Sequence, residues 1–280
     1  MSSAIRIVAG NFGRVALLRM TGPLVEHAHR HCHVLIKISG HDTGFLVAGE
    51  PRVLVDENAV LINAWEPHCY AHQDGAPETF ILALYIEPGW LADCDSRYFG
   101  APASAFFSQK MAALSARTRQ QVNRFTDLLL AGEGVDPGDL DSMLFGLLAA
   151  LAARPEPVRP IPLVHAPSDF RIRRAIGFLK EHAGSRLAVD EVARTAGLSR
   201  PHFFALFKQC TGLSPGMYVN VLRMEEAIKR LSGGTQPISN LSFDLGFEAQ
   251  SNFTRFFRQH QGASPTEFRR VVDCVISSGP

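Results

Sequence analysis

The sequence predicts a multidomain chain: an N-terminal all-β barrel with a helical pair, then an all-α C-terminal domain. Three observations carry that reading. Short β-rich runs fill residues 5–90, and helical spacing replaces them after residue 112. Five prolines fall within residues 154–167. The last hundred residues contain one unit twice. From Gly197 the chain reads GLSRPHFFALFKQCTGLSPGMY, and from Gly246 it reads GFEAQSNFTRFFRQHQGASPTEF. Phe203, Phe207, Gln209, Gly212, Ser214 and Pro215 recur as Phe253, Phe257, Gln259, Gly262, Ser264 and Pro265. Upstream of the short turn Gly197 matches Gly246 and Val189 matches Ile238, so the one extra residue falls inside the turn.

Four segments follow: a barrel over 1–112, a helical pair over 113–153, a linker over 154–167 and a duplicated helical domain over 168–272. In the first, VLIKIS, GFLV, RVLV, AVLIN and TFILALYI are separated by Gly, Pro, Asp and Asn, the pattern of a barrel or sandwich. Residues 91–112 read as irregular or weakly helical. In the second, Val122, Phe125, Leu128 and Leu129 share one helical face, and Leu140, Met143, Leu144, Leu147, Leu148 and Leu151 share another. That stripe either covers the barrel or meets a second subunit, so a homodimer stays open. The linker's prolines remove backbone donors and fix φ, which keeps it extended.

Charge divides at the same place. Residues 1–153 carry 11 Lys+Arg against 16 Asp+Glu, and residues 154–280 carry 17 against 11. An acidic half joined to a basic half suits a sensor attached to a polyanion binder. The five cysteines are odd in number and scattered, which argues for reduced thiols and a cytoplasmic setting over a disulfide framework. The N-terminal residues show no signal-peptide pattern, and the apolar run Leu144–Ala153 is too short for the ~20 residues of a membrane span.

Within the basic half Ser168 is placed to cap a first helix lined by Ile172, Ile176 and Leu179. Val189–Ala196, a turn at Gly197-Leu198-Ser199 and the helix Arg200–Cys210 make the first unit. Phe203, Leu206 and Phe207 form its buried stripe. A long helix over Pro215–Leu231 joins the copies. The second unit runs Ile238–Leu245, a turn at Gly246-Phe247-Glu248, and a helix from about Ala249 to His260, with Phe253, Phe256 and Phe257 inward. Its outward face carries Gln250, Ser251, Asn252, Thr254, Arg255 and Arg258. Gln and Asn pair bidentately with adenine N6 and N7, and Arg pairs with guanine O6 and N7. Lys208 and Arg258 sit at equivalent places near the helix ends, where phosphate is the natural contact. Pro201, Phe204 and Ala205 offer no side-chain hydrogen bonds, which leaves the polar work of the first copy to Arg200 and His202.

The density of these matches resembles the double helix-turn-helix domain of the AraC/XylS transcription regulators. It rests on Ala193, Gly197-Leu198-Ser199, Phe207-Lys208, Gly212, Ser214-Pro215, Tyr218, Arg223, Ala227, Leu231, Pro237-Ile238, Gly246-Phe247, Phe253, Phe256, Arg258, Gly262, Ser264-Pro265 and Arg269. Ser242 stands in the second copy where a small packing residue is expected. The resemblance implies two recognition helices in successive major grooves of double-stranded DNA, and sequence-specific control of transcription, often with RNA polymerase as a partner.

The acidic half holds Glu26–His33, EHAHRHCH. On a strand alternate side chains share a face, so His27, His29, His31 and His33 would point one way. With His68 downstream this resembles the cupin pattern, HxH followed by an acid and a distant histidine, with His33 in the acid's place. Regulators of this family commonly carry a cupin-like barrel. His27, His29, His33 and His68 therefore read either as lining for a small-molecule effector or as ligands for a divalent transition metal such as Zn, Fe, Ni or Cu. Three functions compete: an effector-responsive regulator, which is not an enzyme; a metal-dependent cupin enzyme carrying a DNA-binding tail; and a constitutive regulator whose N-terminal half only dimerises.

Overall fold

The structure, a computed structural model, describes residues 2–73, 75–94, 106–131, 136–151, 169–182 and 189–275. Eight strands come first: β1 Ser3–Gly10, β2 Gly13–Met20, β3 Cys32–Gly40, β4 Thr43–Val47, β5 Glu50–Leu54, β6 Asn58–Ile62, β7 His68–Ala71 and β8 Thr79–Ile86. Then follow α1 Pro88–Cys94, β9 Met111–Ala113, α2 Ala116–Ala131 and α3 Pro137–Leu151. The C-terminal half comprises α4 Phe170–Glu181, α5 Val189–Thr195, α6 Arg200–Thr211, α7 Pro215–Gly233, α8 Ile238–Asp244, α9 Gln250–Gln261, α10 Pro265–Val271 and β10 Val272–Cys274.

The strands form a seven-stranded sheet, ordered β10-β1-β2-β8-β3-β6-β9, and a three-stranded sheet, ordered β5-β4-β7. Strands β3 and β8 pair antiparallel through the centre of the larger sheet. Val34, Ile36, Leu82, Leu84 and Ile86 turn to one face, where they meet Val122, Phe125 and Leu129 of α2 and Leu144, Leu147 and Leu148 of α3. Leu35, Ile81, Ala83 and Tyr85 turn to the other face, towards Phe45, Val47, Leu54 and Tyr70 of the smaller sheet. Both faces of the central strands are covered, so the runs VLIKIS and FILALYI are almost wholly apolar, where a half-solvated strand would alternate.

The leucine stripe of the helical pair is used up on this sheet: Leu140, Leu144, Leu147, Leu148 and Leu151 are all buried within the chain. It covers the larger sheet. Part of the segment read as irregular or weakly helical is ordered: α1 follows β8, and β9 pairs antiparallel with β6. The Pro-rich linker and Ser168 lie outside the described residues. Helix α4 is capped by Asp169, whose carboxylate accepts from the Arg171 N–H.

The two helix-turn-helix units are built alike. Gly197, Gly212, Gly246 and Gly262 all take positive φ, between 69° and 77°, at matching places in the two copies. Each lets a helix end through a left-handed residue without the clash a Cβ brings. Ser214 and Ser264 cap α7 and α10 through their side chains, and Glu267 completes a capping box with Ser264. Phe203, Phe207, Phe253 and Phe257 are fully buried. Ala193 and Ser242 occupy the matching tight contacts and are also buried, so the small side chain at 242 does keep the helices close. Strand β10 then leaves the helical domain and pairs in parallel with β1, Ile7 opposite Val272.

Gly212→Ala should cost about 1 kcal/mol from backbone strain alone, because nothing lies within 4 Å of the added methyl. Gly177→Ala inside α4 meets the same open space without positive φ, and should stabilise by about 0.5–1 kcal/mol. Urea unfolding of the two variants checks the opposite signs.

Candidate nucleic-acid interface and histidine site

Helix α9 is amphipathic because its apolar residues recur at helical spacing. Phe253 and Phe257 point into the core, while Gln250, Ser251, Asn252, Arg255 and Arg258 are exposed and Thr254 is partly so. The Arg255 guanidinium donates to Asn252 Oδ1 at 3.0 Å, which holds two hydrogen-bonding side chains side by side on the surface. In the first copy Arg200, His202 and Lys208 are exposed on α6. Arg200 is drawn to the Asp190 carboxylate at 3.1 Å, and its guanidinium lies 5.7 Å from the Phe204 ring. The residues expected at base or phosphate are therefore on outward faces, with more polar side chains on α9 than on α6.

The second site lies where β3 and β7 meet the connection between β2 and β3. His27, His29, His33 and His68 are all buried. Three of them are held alike. His27 Nδ1 lies 2.9 Å from the Val25 carbonyl, His29 Nδ1 3.0 Å from the His31 carbonyl, and His68 Nδ1 2.8 Å from the Glu66 carbonyl. A carbonyl can only accept, so each Nδ1 carries the proton and each Nε2 presents a lone pair. Ligand nitrogens of these three rings lie within 4.8 Å of one another. His33 Nδ1 sits 3.1 Å from His29 Nε2 and 3.4 Å from His68 Nε2. One proton on His33 Nδ1 satisfies only one of those two lone pairs. His33 Nε2 is buried without a hydrogen-bond partner, while its ring stacks on Tyr85 at 4.1 Å. Burial, reinforced by the neighbouring imidazoles, holds His27, His29 and His33 well below the usual histidine range. Burial brings His68 down to about 4 against the opposing pull of the Glu66 carbonyl. The cluster is thus neutral, nitrogen-rich and short of donors.

His31 does not join it. Residues 27–31 are not a regular strand, so strict alternation fails there, and the His31 ring lies 3.4 Å from the Glu225 carboxylate and 3.5 Å from that of Glu87. Of the aromatics near the cluster, Tyr85 lines it, Tyr70 packs on Phe45, and Trp65 stacks on Tyr218 of α7 at 5.0 Å.

The sequence reading did not find the junction between this cluster and the DNA-reading helices. A cavity of about 210 Å³ touches His27 and His29 on one side and α7, His260 and Gln261 on the other. The His27 and His260 rings are 5.9 Å apart. Arg14, buried on β2, donates to Gln261 Oε1 at 3.2 Å and lies 3.9 Å from the Tyr85 ring centre. The Val25 N–H donates to the Gln259 carbonyl at 3.1 Å. No local pattern foreshadows pairs so far apart in the chain.

Comparison with known proteins agrees with this layout. Residues 192–271 match a helix-turn-helix domain family. The chain is 26% identical over 248 residues to a probable transcriptional regulator, LumQ, of Photobacterium leiognathi, covering 88% of this chain and 92% of that one. It is 24% identical over 267 residues to the HTH-type transcriptional activator RhaS of Escherichia fergusonii, covering 91% of each. The crystal structure of ToxT from Vibrio cholerae superposes with a TM-score of 0.53 at 10% identity, over 97% of both chains, which shows the same two-part fold. In its duplicated helix-turn-helix and its sheet-rich N-terminal domain, the chain is similar to these transcription regulators.

Proposed function

We propose that this chain is an activator of transcription whose activity is set by a ligand in its N-terminal histidine cluster, and that the ligand is a divalent transition-metal ion. RhaS, which is described as an activator, is the relative that supports the direction of control, and RNA polymerase is the partner that activation requires. The observation that carries the sensing half is three buried imidazoles, each fixed through Nδ1 by a backbone carbonyl, with ligand nitrogens within 4.8 Å of one another. Carbonyl-anchored imidazoles that leave Nε2 free are how proteins prepare histidine for a metal. A nitrogen-only set suits Zn, Ni, Cu or Fe over Mg or Ca. Tetrahedral closure on zinc, with bonds of ~2.0–2.1 Å, brings ligand nitrogens to about 3.4 Å. His33 Nδ1 already stands near that distance from two partners. When bound, the ion supplies charge to four neutral rings and relieves the crowding of lone pairs. His27, His29, His33 and His68 hold it, and Glu66 and Val25 orient the rings from behind.

Reading of DNA is assigned to Gln250, Ser251, Asn252, Thr254, Arg255 and Arg258 on α9, with Arg200, His202 and Lys208 on α6. Arg255→Ala should weaken binding to a selected duplex by about 10- to 100-fold and relax preference at one base pair. Arg258→Ala should weaken all sequences alike and reduce the slope of log K against log salt by about 0.9. Anisotropy titrations at three salt concentrations separate the two behaviours. Equal effects on every sequence from both variants would refute the assignment.

Metal binding is checked on untagged protein by equilibrium dialysis against zinc. One ion per chain is expected, and His29→Ala should lower the affinity by at least about tenfold. The cluster also fixes a pH response of the metal-free chain. The folded-state values lie below the usual 6.5, so the unfolded chain takes up more protons as pH falls. Stability is intact above about 6.5 and declines as pH drops towards 4. Thermal melts from pH 7.5 to 4.5 should show the fall, and His68→Gln should flatten it.

A further inference from the structure

One loop serves both sites. The eleven residues between β2 and β3, Thr21–His31, begin beside the DNA-reading helix and end at the histidine cluster. Thr21, Gly22, Pro23 and Leu24, together with Ser2, wall a cleft of about 740 Å³. Its opposite wall is the outward face of α9: Gln250, Ser251, Thr254, Arg255 and Arg258. Five of the six side chains assigned to readout in the second copy thus look onto the N-terminal domain. The loop and these side chains line one open cleft, so a duplex that seats α9 in its major groove, ~12 Å wide, meets the loop.

The loop is fastened at both ends. Its Val25 N–H bonds the Gln259 carbonyl of α9 at 3.1 Å. Two residues later His27 exchanges backbone hydrogen bonds with His68, at 2.9 and 2.8 Å. His27 also turns one ring edge towards His29 and His68 and lies against His260 of α9. His27 and His29 are the two cluster histidines on the loop itself. An ion that binds them fixes the loop in the position that closes the cleft. Within its own domain the loop is also held by the Leu24 N–H to the Tyr70 carbonyl at 3.2 Å and by the Trp65 N–H to the His29 carbonyl at 2.7 Å, so release from α9 removes the Val25 anchor and the His260 contact and with them part of what places His27 beside His29 and His68.

We propose that the loop Thr21–His31 is an autoinhibitory strap over the second recognition helix, and that a metal ion in the histidine cluster tightens it. This rests on the metal reading above. Metal and DNA then compete through the position of one loop, and each weakens the other by the same factor. The metal-free chain is the form that reads DNA with both units, and activation follows loss of the ion.

The test uses the full chain, zinc alone as the metal, and a duplex selected from a random pool by chelator-treated protein. Zinc at saturation should weaken binding to that duplex about tenfold, within the ordinary range of coupling between sites. The same duplex should weaken zinc binding about tenfold, read by competition with a chromophoric chelator. His260→Ala and Leu24→Ser, which loosen the strap at separate points outside the cluster, should keep one zinc per chain and lose most of the effect on DNA. His29→Ala should lose both. Zinc bound at one per chain with unchanged or tighter DNA binding overturns the strap and leaves the metal site standing. No stoichiometric zinc overturns the metal site and the strap with it. Full zinc inhibition retained in both loosening variants overturns the strap as its route.

Discussion

The burial of Phe253 and Phe257 beneath α9 is the interaction that decides which side chains the second helix-turn-helix unit presents outward. Each ring transfers roughly 1.5–3 kcal/mol of apolar burial into the fold, and together they fix the rotation of the helix about its axis. A helix has one rotation, so fixing the apolar side fixes the polar side. Gln250, Asn252, Arg255 and Arg258 face outward because no rotation that keeps both phenylalanines inside allows anything else. Gly246 and Gly262 set where the helix enters and leaves, through left-handed turns that other residues adopt only with strain. Phe203, Phe207, Gly197 and Gly212 repeat the device in the first copy. The shared geometry follows from shared packing and requires no similarity in the outward residues, which differ.

That logic explains why the C-terminal half was legible in the sequence. Phenylalanine spacing, cap serines and turn glycines are local signals, and each lies within a few residues of what it determines. The helix starts and stops fell within one or two residues of expectation, apart from the first cap, which passes from Ser168 to Asp169. The convergence of His27, His29, His33 and His68 was legible for a different reason. Alternation over EHAHRHCH and the resemblance to the cupin pattern grouped them, and in the structure His33 lies on β3 while His27 pairs with His68 across a bridge. His31 escaped because alternation holds only where a strand is regular, and residues 27–31 follow the surface of α7 instead, where Glu225 draws the ring.

What the sequence did not show is the junction. Arg14 meets Gln261, Val25 meets Gln259, Trp65 stacks on Tyr218, and β1 pairs with β10. Each contact joins residues more than 150 positions apart, and none belongs to a periodic pattern. The charge split between the halves pointed to two bodies with separate tasks. It carried no information on how they touch. Parallel pairing of β10 with β1 shows that the division is not clean: the chain ends its DNA-binding half as an edge strand of the sensor sheet. Edge strands left open invite pairing with other chains, and β10 covers this one with the molecule's own backbone.

The same junction sets how a signal can travel. The core of the sheet is closed on both faces, and close-packed interiors deform little. A ligand at the histidine cluster therefore has poor leverage through the sheet. The connection from β2 to β3 is different. It has no regular strand partner beyond a single bridge at His27; its backbone bonds run to Gln259 across the domain boundary and to Tyr70, His68 and Trp65 within its own domain. It also carries two of the four histidines and one wall of the cleft over α9. On the proposed reading the short path from the histidine cluster to α9 runs along this surface loop, and the two sheets are the fixed frame against which it is held.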